Sequence, residues 1–97
     1  MSHYSEVSAA IRAVRAVYHE PLWTLWADRY LDGSDVRAST ARIAADRIAT
    51  ISGPLPMSIP ARAASTATWA AVRCCEPRSA HLAQYAIELC QGLGSTE

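Results

Sequence analysis

The chain has 97 residues, nine of them arginine and none lysine, balanced by nine acidic side chains to a formal net charge of zero. That balance argues against non-specific binding to nucleic acid or an anionic membrane, which needs a basic surplus, and no apolar run approaches the roughly 18–20 residues of a membrane span. One domain, residues 1–97, is expected, burying about 60–65 % of the surface its unfolded chain exposes and holding a thin stability margin.

The apolar composition is lopsided: nineteen alanines, three tryptophans and no phenylalanine. Alanine has the best intrinsic helix propensity but buries little area, so the tryptophans carry a disproportionate share of any core. Arginine in place of lysine fits GC-rich coding; it also suits bidentate ion pairs at a buried interface.

The first helix is expected over residues 5–19. Val7, Ala10, Ile11, Val14, Val17 and Tyr18 recur at three- and four-residue spacing on one face, with Arg12, Arg15 and His19 on the other. Ser5 is its candidate N-cap, and Ser8 stands where a capping box would place glutamate. Pro21 cannot continue that helix but suits the first turn of the next. The second helix is expected over residues 22–31, capped by Gly33. Leu22, Leu25, Trp26 and Tyr30 form its inner face, flanked by Trp23.

Ser34 or Asp35 is expected to cap a third helix reaching Ile51. Val36, Ile43, Ala44, Ile48 and Ile51 lie on its inner side, Arg47 at the edge of that side, and Arg42 and Asp46 can pair on the surface. The stretch SGPLPMSIP, residues 52–60, holds three prolines and one glycine and forbids a helix. Leu55, Met57 and Ile59 are expected to pack down from it. Ser58 can cap a fourth helix over about residues 60–75, whose faces are mostly Ala63, Ala64, Ala67, Ala70 and Ala71, with Trp69 and Val72 as exceptions. Pro77 breaks it. A fifth helix is expected over residues 78–90, with Leu82, Tyr85, Ala86 and Leu89 inward, ended by Gly92 and Gly94. No segment alternates with period two. The fold class is therefore all-α: a compact bundle of about five short helices with a Pro-rich break at residues 52–60.

The stretch LWTLWADRYLDGSDVRAS concentrates the bulk and charge of the chain. Trp23, Trp26 and Tyr30 at helical spacing read first as core anchors. A functional reading leaves Trp23 partly exposed, because Trp and Arg are enriched at interface hot spots. The loop from Asp32 to Arg37 reads first as a helix corner in which Arg37 pairs with Asp32 or Asp28; the alternative is a recognition corner. Trp23, Asp32, Asp35 and Arg37 are thus the candidate partner-binding residues.

Cys74, Cys75, His81 and Cys90 lack the C-x-x-C spacing of a zinc site, and no metal is expected. Three cysteines, two of them adjacent, imply no disulfide framework, so buried thiols in a reducing cytoplasm fit best, and the N-terminus lacks the order of a signal peptide. His81, Gln84 and Glu88 share one face of the fifth helix, read as solvated. There is no G-x-S-x-G, Gly-rich phosphate loop or H-E-x-x-H, so no catalytic residue or cofactor is named and a non-enzyme is expected.

The order of three motifs carries a resemblance. Trp26-Ala27 leads to Leu31, the corner Asp35-Val36-Arg37 follows, and after alanine-rich helices comes Ala80-His81-Leu82-Ala83-Gln84-Tyr85-Ala86. Across about residues 22–90 this resembles the small alanine-rich, immunity-family-five-like domains that accompany polymorphic bacterial toxins. The resemblance implies a non-enzymatic protein that binds and neutralises a cognate toxin. The alternative is a self-assembling helical structural protein, a phage or compartment component, in which alanine faces pack between copies as a homo-oligomer.

Overall fold

The computed structural model describes residues 2–54 and 56–94; Leu55, one of the side chains expected to pack down, lies outside them. The fold is an all-α bundle of α1 (Tyr4–Arg15), α2 (Pro21–Leu31), α3 (Ala38–Ser52), α4 (Ile59–Val72) and α5 (Arg78–Gly94), with no strand among the described residues. Its radius of gyration of 12.1 Å is that of a compact domain of this length, for which about 12–13 Å is expected.

Local chemistry sets the helix ends. Pro21 starts α2 at a position where its missing N–H costs nothing. The Glu20 carboxylate accepts from the Leu22 and Trp23 N–H groups at 3.2 and 2.8 Å, satisfying two free donors of the first turn. At the other end Gly33 takes φ 82°, which L side chains adopt only with strain. The Ser34 and Gly33 N–H groups then close back on the Arg29 and Tyr30 carbonyls at 3.0 and 3.2 Å, a Schellman closure. Ser58 caps α4 as expected, accepting from the Ala61 N–H at 3.3 Å.

Five helix ends differ clearly from the sequence expectations. Helix α1 begins at Tyr4 and stops at Arg15; Val17 and Tyr18 donate back to the Val14 carbonyl in a closing turn. Ser5 lies inside that helix, and Ser2 Oγ accepts the Tyr4 N–H instead. Helix α3 begins at Ala38, with the Asp35 oxygens taken by the Arg37 N–H and by the Thr40 hydroxyl of its first turn rather than by a free backbone N–H of that turn. Helix α4 ends at Val72, leaving Cys74 and Cys75 in a turn, and α5 runs through Gly92.

Helix α4 is central, packing on α5, α3 and α1. Ala61, Ala63, Ala64, Ala67, Ala70 and Ala71 are all buried. Side chains this small let neighbouring backbones come close, and close approach selects small residues on the facing helices too. Helix α3 therefore turns Ala41, Ala44, Ala45 and Ile48 inward, and α5 turns Ser79, Ala83 and Ala86 inward. This corrects the expectation for Val36, Ile43, Ile51 and Tyr85, which are exposed: the alanines on these helices, with Ile48 as the one large residue of the α3 set, take the positions facing α4. Met57 packs on the core as expected, whereas Ile59 is exposed. Two buried hydroxyls of α4 and α5 are satisfied: Ser79 Oγ donates to the Ala70 carbonyl at 2.9 Å and Thr68 Oγ1 to the Ala64 carbonyl at 2.6 Å.

Helix α2 is different. It packs on α1 and α3, and its Cα atoms stay more than 8 Å from those of α4. Aromatic rings fill the interval. The inner face is Trp23, Trp26, Ala27 and Tyr30: Trp26 and Tyr30 lie inward as expected, while Trp23 and Ala27 take the places expected for Leu22 and Leu25. Trp23 is 1 % exposed, and its Nε1–H crosses to Thr68 Oγ1 on α4 at 2.8 Å. Tyr18, Trp23, Trp26, Tyr30 and Tyr4 form one continuous run of rings, with successive centroids 5.5, 6.0, 5.4 and 5.2 Å apart.

The far end of this run ties the start of the chain to the α4–α5 turn. Tyr4 donates its hydroxyl to the Tyr30 carbonyl at 2.7 Å, His3 donates its N–H to the Cys74 carbonyl at 2.9 Å, and the Tyr30 hydroxyl meets Cys74 Sγ at 3.7 Å. Burial, with a contribution from the Cys74 thiol, pushes the Tyr30 phenol well above its ordinary range. A raised folded-state pKa stabilises the fold below the unfolded value, about 10, and that stability is lost as pH rises past it. The melting temperature is therefore expected to fall above about pH 10, and Tyr30→Phe to flatten that decline. Thermal melts of both proteins across this range provide the check; an unchanged slope in Tyr30→Phe removes Tyr30 as the cause.

Candidate functional site

The standoff of α2 and the inward turn of the alanines on α3 have a joint consequence at the surface. Leu22 and Leu25 on α2 are 50 % and 49 % exposed, and Ile43 on α3 is 59 % exposed. They border a groove between the two helices with a cavity of about 180 Å³, lined also by Trp26, Arg29, Asp35, Thr40 and Arg47. Arg29 and Arg47 make no ion pair within 4 Å among the described residues, although Arg29 acts through space to lower the pKa of Asp32. The Trp26 Nε1–H is buried without an acceptor among the described residues, unlike that of Trp23. An unpaired buried donor of this kind costs about 1–3 kcal/mol.

Asp35 closes one part of the groove, and its carboxylate is fully engaged. Both oxygens take the Arg37 guanidinium at 3.1 Å in a fork, while Oδ1 also accepts the Arg37 N–H at 3.2 Å and the Thr40 hydroxyl at 2.7 Å. The guanidinium foremost, then Thr40, holds this carboxyl well below the usual carboxylate range. Asp32 accepts the Ser34 N–H at 2.8 Å, and its hydrogen bonds to Ser34 lower its pKa as well.

The four candidate residues thus divide. Trp23 is a core residue with almost no surface, in line with its first reading as a core anchor and not with the partial exposure of the functional reading; its ring still forms part of the lining of the groove. Asp32, Asp35 and Arg37 build the corner between α2 and α3, and only Asp35 reaches the groove. Arg37 pairs with Asp35 rather than Asp32 or Asp28; Asp28 is taken by Arg15 of α1. The groove residues Leu22, Leu25, Arg29, Ile43 and Arg47 escape sequence reasoning because the leucines and the isoleucine look like core. Their signal is an apolar residue followed four positions later by arginine, once on each helix: Leu25 and Arg29, Ile43 and Arg47.

A second depression, of about 350 Å³, lies on the α4–α5 side, lined by Ser65, Thr66, Trp69, Arg73, Arg78 and Leu82. Arg73 there binds Glu76 at 3.3 Å. Arg42, expected to pair with Asp46, instead sits over the Trp69 ring, 5.3 Å from its centroid. Gln84 donates to Glu88 at 3.4 Å on the outer face of α5. All three cysteines are free thiols; Cys75 is exposed, Cys74 and Cys90 are partly covered, and burial raises the pKa of Cys90. Among the described residues no group of three or more His, Cys, Asp and Glu side chains could hold a metal ion, and no helix is long and apolar enough to cross a membrane. No protein-family model matches the chain, and no curated protein or solved structure shows significant similarity to it.

Proposed function

We propose that the chain is a non-enzymatic protein-binding domain that takes its partner on the α2–α3 face. The observation that carries this reading is the trio Leu22, Leu25 and Ile43, large apolar side chains half exposed around one cavity. A patch of this kind marks interaction sites more often than it serves folding. The cavity is smaller than the roughly 300–1,000 Å³ typical of small-molecule sites and suits a side-chain anchor from a partner. The immunity-domain resemblance supplies a specific form of the reading, in which the partner is a cognate bacterial toxin and binding neutralises it. The self-assembly alternative relied on alanine faces; those of α3, α4 and α5 are buried within the chain, which favours a foreign partner.

The test begins with a partner isolated on the tagged wild-type protein from the cells that make it. Leu25→Asp/Ile43→Asp is expected to melt as cooperatively as wild type while losing at least about tenfold in affinity for that purified partner by calorimetry, since apolar hot spots are worth more than 1 kcal/mol each. A folded variant that binds as tightly as wild type overturns the proposal.

A further inference from the structure

Resting on the reading of the α2–α3 face as the partner surface, we infer that the partner contributes an acidic amphipathic helix, its apolar side chains in the cavity and its carboxylates on Arg29 and Arg47. The two walls of the groove share one pattern. Leu25 and Arg29 lie one helical turn apart on α2, and Ile43 and Arg47 one turn apart on α3, so each wall presents an apolar position and a cation on the same face.

Neither guanidinium has a carboxylate within ion-pair distance among the described residues. Asp35, the one acidic residue lining the groove, does not compete for them, because Arg37 and Thr40 already occupy its oxygens. An arginine fork matches a carboxylate in geometry as well as charge. A third helix with leucines at i, i+3, i+4 and i+7, and glutamates beside that stripe, meets both requirements of both walls. An extended strand finds no open backbone edge here, since both walls are helices. Nucleic acid fits poorly, because the chain has no net positive charge and the groove is bordered by leucine and isoleucine.

The probe is a fluorescently labelled helical peptide as long as α2 carrying that leucine stripe flanked by glutamates, compared with the same peptide carrying lysines. Anisotropy titrations use the full chain at low and high salt. The glutamate peptide is expected to bind saturably, at least about tenfold tighter than the lysine peptide at low salt, with the margin shrinking as salt screens the rim charges. Arg29→Glu/Arg47→Glu is expected to invert the preference, which mere loss of structure cannot do. Should that variant not fold, Arg29→Gln/Arg47→Gln is expected to abolish the preference. Equal binding of the two peptides overturns the inference, as does a preference unchanged in the variants, or binding only to vesicles of phosphatidylcholine and phosphatidylserine. If neither peptide binds while Leu25→Asp/Ile43→Asp still loses the purified partner, the acidic helix is wrong and the α2–α3 face stands.

Discussion

Trp23→Ala is expected to cost about 3–5 kcal/mol, the range for emptying a large aromatic site in a core, and to leave a substantial fraction of the chain unfolded near its ordinary working temperature. Native domains are stable by only about 5–15 kcal/mol in all. Trp23 joins α2 to α4 across an interval that no backbone contact spans, and its indole N–H is the donor to Thr68 Oγ1. Neighbouring alanines cannot extend to refill the space. Trp26→Phe serves as the matched comparison. It removes a buried N–H that has no acceptor among the described residues and keeps most of the ring, so its cost is expected to stay below about 1 kcal/mol or to reverse sign. Urea unfolding of the two variants separates the cases. A loss in Trp26→Phe as large as that in Trp23→Ala would mean that the Trp26 N–H is no cost to the fold and that the Trp23 ring and its bond to Thr68 have no special weight.

Ala67→Leu is expected to destabilise by about 1–3 kcal/mol, although leucine is both apolar and a good helix former. Ala67 is fully buried on α4, the helix that touches three others, and every neighbour there is positioned by the absence of bulk. The added atoms must push α3, α1 or α5 outward. Ala49→Leu, on the exposed side of α3, is expected to change stability by no more than about 0.5 kcal/mol. Thermal melts of the pair decide the point. If Ala67 accepts leucine as easily as Ala49 does, the alanine layers are loosely packed and do not fix the helix spacing.

The helical plan was legible in the sequence because its punctuation is chemical. Pro21, Gly33 and Ser58 mark ends through a missing donor, positive φ or a capping oxygen, all of which act locally; Pro77 precedes the start of α5 and does not end α4, which stops at Val72. Which face turns inward was less legible on three helices. Periodicity weights a residue by its apolar size, so Ile43, Ile51, Leu22, Leu25 and Tyr85 outvoted the alanines beside them. In this chain the alanines decide, because the helix with the most neighbours is lined with them. With α4 lined by alanine, Ile43 and Ile51 on α3 and Tyr85 on α5 are left exposed, while Ile48 is taken into the core. The candidate site followed the same error. Trp23 attracted a functional reading through its size and is core, whereas the groove is built from residues that a hydropathy pattern had placed inside. The Asp–Arg corner was read correctly as a corner, but its pairing was not, because Asp28 is claimed by Arg15 on a different helix, a contact of tertiary origin.

The seating of α2 has one more consequence. Helices α3 and α5 each pack directly on the alanine faces of α4, with Cα atoms within 8 Å. Helix α2 meets α4 only through side chains, chiefly the Trp23 ring and its bond to Thr68, and its backbone lies close only to those of α1 and α3. The segment with the fewest close backbone neighbours is the one that breathes first in a native protein. That segment is also one wall of the groove. The groove is thus bounded on one side by a helix that its rings hold away from α4, and on the other by a helix packed directly on α4.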